Sequence, residues 1–166
     1  GGFMSVTGLP GQGPVRVGIP IADLTTGMYL AIGILTALLE REVSGEGQWV
    51  HTSLLESQIA MLDFQASRWT MAGEIPGQAG NNHPTSVPTG VFKTSDGHIN
   101  IAASGGAMVE RLSAALNAPD LLSNPLFKDN ESRATNRDAM NAAIEAHTEK
   151  RASNDLIEAL NAGGVP

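Results

Sequence analysis

The chain has 166 residues, of which 42% are hydrophobic, 16% charged and 4% aromatic, a globular composition long enough for one domain with a core. Ten Lys and Arg against 17 Asp and Glu give a net charge of −7, and no basic stripe is present, which disfavours a nucleic-acid role. Cysteine is absent, which excludes disulfides, a thiol nucleophile and thiolate metal sites and fits a cytoplasmic protein.

Residues 1–20 hold six glycines and three prolines and read as loop or linker. The opening "GGFMSVTGLPGQGP" has no basic n-region, so it does not read as a signal peptide. It is an awkward start, and "NAGGVP" is an awkward stop, so an internal piece of a longer protein is expected. Asp23 then precedes the run "LTTGMYLAIGILTALL", residues 24–39. These 16 residues fall short of the ~20 that a bilayer core requires, and Glu40-Arg41-Glu42 follows them, so no membrane is expected. A helix apolar on all sides is predicted to be buried on all sides, with Gly27, Ala31, Gly33 and Ala37 allowing close approach.

"SGEG" at 44–47 predicts a tight turn, and the alternation in "QWVHTSL" predicts a short strand. Leu55, Ile59, Leu62 and Ala66 lie at helical spacing and predict a second helix from Leu54 to about Ala72. Residues 73–89 form a loop of 17 residues, longer than the ~12–15 usual in compact domains. "GVFKTSDGHINIAAS" reads as a β-hairpin turning at Asp96-Gly97. Met108, Leu112 and Leu116 line a helix that Pro119 ends, and Met140, Ile144 and His147 lie on a further amphipathic helix. Ser153 is predicted to cap a last helix, which Gly163 terminates.

Two places suggest chemistry. Asp is a preferred N-cap, and spacing alone favours that role for Asp23; the apolar helix behind it predicts a carboxylate held at depth. "GNNHPTS", residues 80–86, reads either as a surface loop or as a mobile lid hinged at Gly77 and Gly80. Of His51, His83, His98 and His147 only His83 falls in that loop, and none pairs with another at i+3 or i+4, so no metal site is predicted. A G-x-S-x-G elbow is absent, and "GLPGQG" lacks the preceding strand and following helix of a phosphate loop.

Five ordered blocks carry a resemblance: "GGFMSVTGLPGQGPVRVGIPIADLTTGM", "AIGILTALLEREVSGEGQWVHTSLLES", "GNNHPTSVPTGVFKTSDGHINIAAS", "NPLFKDNESRATNR" and "LNAGGVP". In this order the chain resembles the class III CoA-transferases, the formyl-CoA and carnitine CoA-transferase family. The resemblance implies an α/β fold of that class. Residues 1–72 would be the end of a large domain, 73–89 a linker or lid, and 90–166 a small α+β domain with a hairpin. It implies that Asp23, before the "GM"-type sequence, is the nucleophile that passes CoA between an acyl-CoA and a free carboxylic acid through anhydride and aspartyl-CoA thioester intermediates. Coenzyme A thioester is then a substrate, and no resident cofactor is implied.

It also implies an interlocked homodimer, CoA contacts upstream of this segment, and no activity from the segment alone. Some family members have a glycine run over the site where this chain has "GNNHPTSVP", so Gly80, Asn81, Asn82 and His83 are carried over as candidate CoA or substrate contacts. The related α-methylacyl-CoA racemases share the aspartate. They tend to show glycines after it and a glutamate near the hairpin, whereas this chain has "LTTGM" and "GVFKTSDG", which favours transfer over racemisation. A non-catalytic homologue with Asp23 as a helix cap is the remaining alternative.

Overall fold

Glycine and proline keep most of the first 20 residues irregular, with one short helix, α1 (Phe3–Val6), among them. The computed structural model describes residues 2–166, which fall into two units, Gly1–Gly80 and Asn81–Pro166.

In the first unit, 24 residues without an internal proline form α2 (Ile21–Ser44). Pro20 precedes it, and Gly45 ends it at φ 77°, donating its N–H to the Arg41 carbonyl at 2.8 Å. The Thr25 and Thr26 hydroxyls bond back to the Ile21 and Ala22 carbonyls at 2.7 and 2.6 Å, which satisfies them without outside partners. Residues 2–166 do not by themselves supply the expected burial on all sides. Met28, Ile32, Leu35 and Leu39 are 57%, 59%, 61% and 73% exposed, and Thr25 is the only fully buried residue of α2. The cause is a shortage of neighbours: α3 (Leu54–Met61) packs on α2, and Val50 lies so close to Gly33 that a Cβ there would come within 2.8 Å of Val50 Cγ1. A helix apolar all round needs cover on every side, and its own unit supplies little. By length and composition alone α2 is apolar enough to cross a membrane, a test that the core helix of a soluble protein also passes.

Two further expectations change here. The segment before α3 has no regular structure, and among the described residues the only ladder lies in the second unit, so the predicted strand is absent. Ser53 caps α3, accepting the Glu56 N–H at 3.2 Å while its hydroxyl donates to the Glu56 carboxylate at 2.8 Å. The single helix predicted to about Ala72 is instead two. Asp63 at φ 48° breaks it before α4 (Phe64–Ala72).

The second unit holds the apolar core. Strands β1 (Thr89–Lys93) and β2 (His98–Ala102) pair antiparallel, with Thr89 opposite Ala102 and Lys93 opposite His98. The turn lies where Asp96-Gly97 predicts it, with the Thr94 N–H donating to Gly97 O at 2.9 Å. Period-two alternation buries Phe92, Ile99 and Ile101 on one face. Over that face lie α5 (Gly106–Leu116), α6 (Asp120–Ser123), a 3-10 turn (Pro125–Phe127), α7 (Asn130–Thr135), α8 (Arg137–Thr148) and α9 (Ser153–Ala162). Leu112, Leu121, Met140, Ile144 and Leu156 are completely buried against Phe92 and Ile101.

Ser153 is not the cap of α9 but its first residue, with Ala152 at the cap position. The cap oxygen comes from the hairpin turn: Asp96 Oδ1 accepts the Ser153 N–H at 2.8 Å, its hydroxyl at 2.7 Å and the Thr94 hydroxyl at 3.0 Å. A turn 57 residues away thus seats the helix. Both units together make a mixed α/β chain whose second unit is the expected α+β element with a hairpin.

Candidate active site

Asp23 does not cap α2. The helix starts two residues earlier, so the carboxylate stands in the first turn, with no side-chain cap bond at that terminus. First-turn amides have no intrahelical acceptor, and the helix dipole favours an anion there. The side chain is exposed, contrary to the expected depth, because the elements that pack on α2 leave this end open. Among the described residues it takes part in no hydrogen bond or ion pair, so both oxygens are unencumbered.

The carboxylate opens onto a cleft of about 210 Å³. Phe3, Val17 and Ile19 give it apolar walls, and Arg16, Asp23 and Gln58 are its polar groups. A second cleft of about 400 Å³ shares Phe3 and Gln58 with it. Side-chain and backbone bonds hold these walls. Val15 N–H donates to Met4 O at 3.0 Å, Gly80 N–H to Gly8 O at 3.0 Å, and the Gln78 carboxamide to Thr7 O at 2.6 Å. At Gly8, φ 109°, a Cβ would lie 2.5 Å from Val15 Cγ2, so only glycine lets the Val15–Arg16 segment pack this closely. Gln58 reaches the cleft from α3 while its Nε2 donates to Leu54 O at 3.3 Å.

The loop candidates separate. Gly80 belongs to the first unit, at φ 60° and outside the Asp23 cleft; Asn81, Asn82 and His83 belong to the second. These three run beside β1. Asn81 O accepts the Val91 N–H at 3.2 Å, Asn82 forms a bridge with Gly90, and His83 N–H donates to Thr89 O at 2.9 Å. Asn82 Oδ1 also accepts the Asn141 amide at 2.9 Å. His83 Nδ1 accepts the Ser86 N–H at 3.0 Å and the Thr85 N–H at 3.2 Å, which puts the proton of the neutral ring on Nε2. Residues 81–83 are thus tied to the hairpin by backbone bonds.

The other histidines are dispersed: His51 lies in the segment before α3, His98 opens β2, and His147 on α8 sits with Nε2 3.1 Å from Asp120 Oδ1. Among the described residues no three His, Asp or Glu side chains group to hold a metal. Arg16 and Gln58 escaped the sequence reading. A signal for Arg16 existed: the first 39 residues contain one cation and one acid, Arg16 and Asp23. Gln58 had none, since its place depends on how α3 packs.

A family model described as CoA-transferase family III matches residues 1–166. The chain is 37% identical over 166 residues to succinyl-CoA:mesaconate CoA-transferase of Haloarcula marismortui, covering all of this chain and 41% of that protein. It is 32% identical to acetyl-CoA:oxalate CoA-transferase of Acetobacter aceti, covering 99% of this chain and 43% of that one. A solved CaiB/BaiF family protein from Brucella suis superposes with a TM-score of 0.78 at 34% identity, over 100% of this chain and 44% of that one. The chain therefore spans about two fifths of the length of the relatives it matches.

Proposed function

The chain belongs to CoA-transferase family III, and from that premise we propose that the protein it is part of moves coenzyme A between an acyl-CoA and a free carboxylic acid, with Asp23 as the nucleophile. The observation that carries this is the position of Asp23: an unpaired carboxylate in the first turn of a 24-residue helix, opening onto an apolar-walled cleft. The names of the relatives support acid-to-acid CoA transfer, and both include a dicarboxylic acid.

An Asp23 oxygen attacks the thioester carbonyl carbon, the C–S bond breaks, and CoA leaves as the thiolate, giving a mixed anhydride. The thiolate then attacks the aspartyl carbonyl carbon, expelling the donor acid as its carboxylate and leaving an aspartyl-CoA thioester. The acceptor carboxylate attacks that thioester, CoA thiolate departs, and its return to the acceptor carbonyl regenerates Asp23. No net proton is exchanged. The Ala22 and Asp23 amides of the first turn, which have no intrahelical acceptor, are suited to stabilise the oxyanion of each tetrahedral step; because Asp23 is exposed in these residues, keeping water from the anhydride falls to residues outside this segment. In this reading the protein is a cytoplasmic homodimer, the apolar faces of α2 are covered by segments outside this one or by the partner subunit, CoA is held by residues outside this segment, and residues 1–166 alone are inactive.

The test uses the full-length protein. After incubation with succinyl-CoA, mass spectrometry should find CoA on the peptide carrying Asp23, and Asp23→Asn should lose turnover. That substitution also removes a favourable charge from the first turn, worth about 0.3–1 kcal/mol, so its melting point should change little. Transfer that persists in Asp23→Ala, with no adduct in the parent protein, would end this reading.

A further inference from the structure

We propose that Arg16 is the specificity-determining residue of the Asp23 cleft, pairing with the second carboxylate of a dicarboxylic substrate. The inference rests on the reading of Asp23 as the CoA-transfer nucleophile and goes on to name the acid it serves. Arg16 is the only Lys or Arg in the first 40 residues, and the fold sets it on the same cleft of about 210 Å³ as the only acid of the first 39. The two do not neutralise each other. Among the described residues the Arg16 guanidinium makes no ion pair or hydrogen bond, and neither does Asp23. Both side chains are exposed on the lining of that cleft, so a cation and an anion, neither with a partner among the described residues, are available to the two ends of one molecule.

The chemistry of that molecule follows from what Asp23 does. When a thioester carbonyl lies against Asp23, the pantetheine arm carries the phosphates of coenzyme A far from the reacting carbon. An anion close enough to meet Arg16 inside the same cleft must therefore belong to the acyl group. A monocarboxylic acid offers none once its carboxyl is at Asp23; a dicarboxylic acid offers its other end. Guanidinium supplies two parallel N–H donors that match a carboxylate, whereas the alkyl end of a monocarboxylic acid offers it no counter-charge. The backbone that carries Arg16 is anchored next to it, because Val15 is fixed by its bond to Met4 O and by the close approach at Gly8.

The test uses the full-length protein with succinate and butyrate as acceptors, acids of equal chain length that differ in one carboxylate. Arg16→Gln should raise the KM for succinate by about ten- to hundredfold and leave that for butyrate within about twofold, as expected for loss of one charge-assisted pair. Arg16→Lys should fall between. An unchanged succinate KM, or an equal rise for both acids, overturns the proposal. If Arg16→Gln does not fold, Arg16→Lys decides: a rise confined to succinate supports the pairing, and no rise or a shared one overturns it. Absence of any CoA adduct at Asp23 in the parent protein would instead sink the transferase reading. Arg16 is then judged by titrating succinate alone into both proteins: weaker binding to Arg16→Gln keeps the pairing, and equal binding removes it.

Discussion

Gly90 offers a sharp test of how the 81–83 loop is held. It is buried in β1 opposite Ile101, and Asn82 bridges to it from the other side. A Cβ on Gly90 would lie 2.7 Å from Asn82 Oδ1 and 3.0 Å from Asn81 O, closer than carbon and oxygen pack. Both oxygens are engaged, Asn82 Oδ1 by the Asn141 amide and Asn81 O by the Val91 N–H. Gly90→Ala can be accommodated in two ways. Overpacking with the loop in place costs about 1–3 kcal/mol. Moving the loop breaks two hydrogen bonds at about 0.5–1.5 kcal/mol each, a similar total. Restricting the unfolded chain returns about 0.4–1 kcal/mol, so the net loss lies between about 0 and 2.6 kcal/mol. For a unit of this size that lowers the melting midpoint by up to roughly 20 °C. Calorimetry on the full-length protein should show it in the transition of the second unit, and hydrogen exchange should accelerate at the Val91 and His83 amides. Asn82→Gly removes one of the two contacts, so Gly90→Ala should cost at least about 0.5 kcal/mol less in that background. An unchanged midpoint and unchanged exchange in Gly90→Ala would refute the packing described for this loop.

Two further outcomes follow from the second unit. Leu112 is completely buried, so Leu112→Ala should cost about 2–5 kcal/mol of that unit's stability by denaturant titration, with no change in the CoA adduct at Asp23. The Ser153 hydroxyl, then its amide, then the Thr94 hydroxyl hold the Asp96 carboxyl below its ordinary value, and the Ser132 amide does the same for Asp129. Groups lowered on folding contribute stability above their unfolded value, about 3.9, and lose it as pH falls through the folded one. The denaturant midpoint should therefore drop as pH is lowered from about 5 to 2, less steeply in Asp96→Asn; equal slopes would show that Asp96 does not seat α9.

Much of the second unit was legible because its signals are local. The Asp-Gly turn, the alternation in "HINIA" and the four-residue spacing of Met140 and Ile144 each point one way, and their own unit completes the burial they call for. The exception is the cap of α9, which comes from Asp96, far along the chain and invisible to any local pattern. The first unit was legible in position but not in environment. Asp23 is singled out by the resemblance, yet periodicity could not show that Ile21 and Ala22 already belong to the helix or that the carboxylate lies open. The strand expected at 48–54 failed for want of a partner, since alternation is necessary for a half-buried strand but does not supply the ladder. Arg16 was missed because a lone cation in a glycine-rich stretch has no period; only the folding of α1 and Val15 brings it to Asp23's cleft.

The uneven division of apolar burial also sets a timetable for synthesis. The residues that close the second unit's core begin at Val87, whereas α2 is complete at Ser44. At ~5–20 residues per second, α2 is made roughly 6–24 s before residue 166 is added. The unit that closes its own core is thus the later of the two, and the earlier unit by itself leaves Ile32, Leu35 and Leu39 exposed. Those seconds are when a ribosome-bound chaperone would find its longest apolar target on this chain, and slowing translation after Ser44 should lengthen that encounter in proportion.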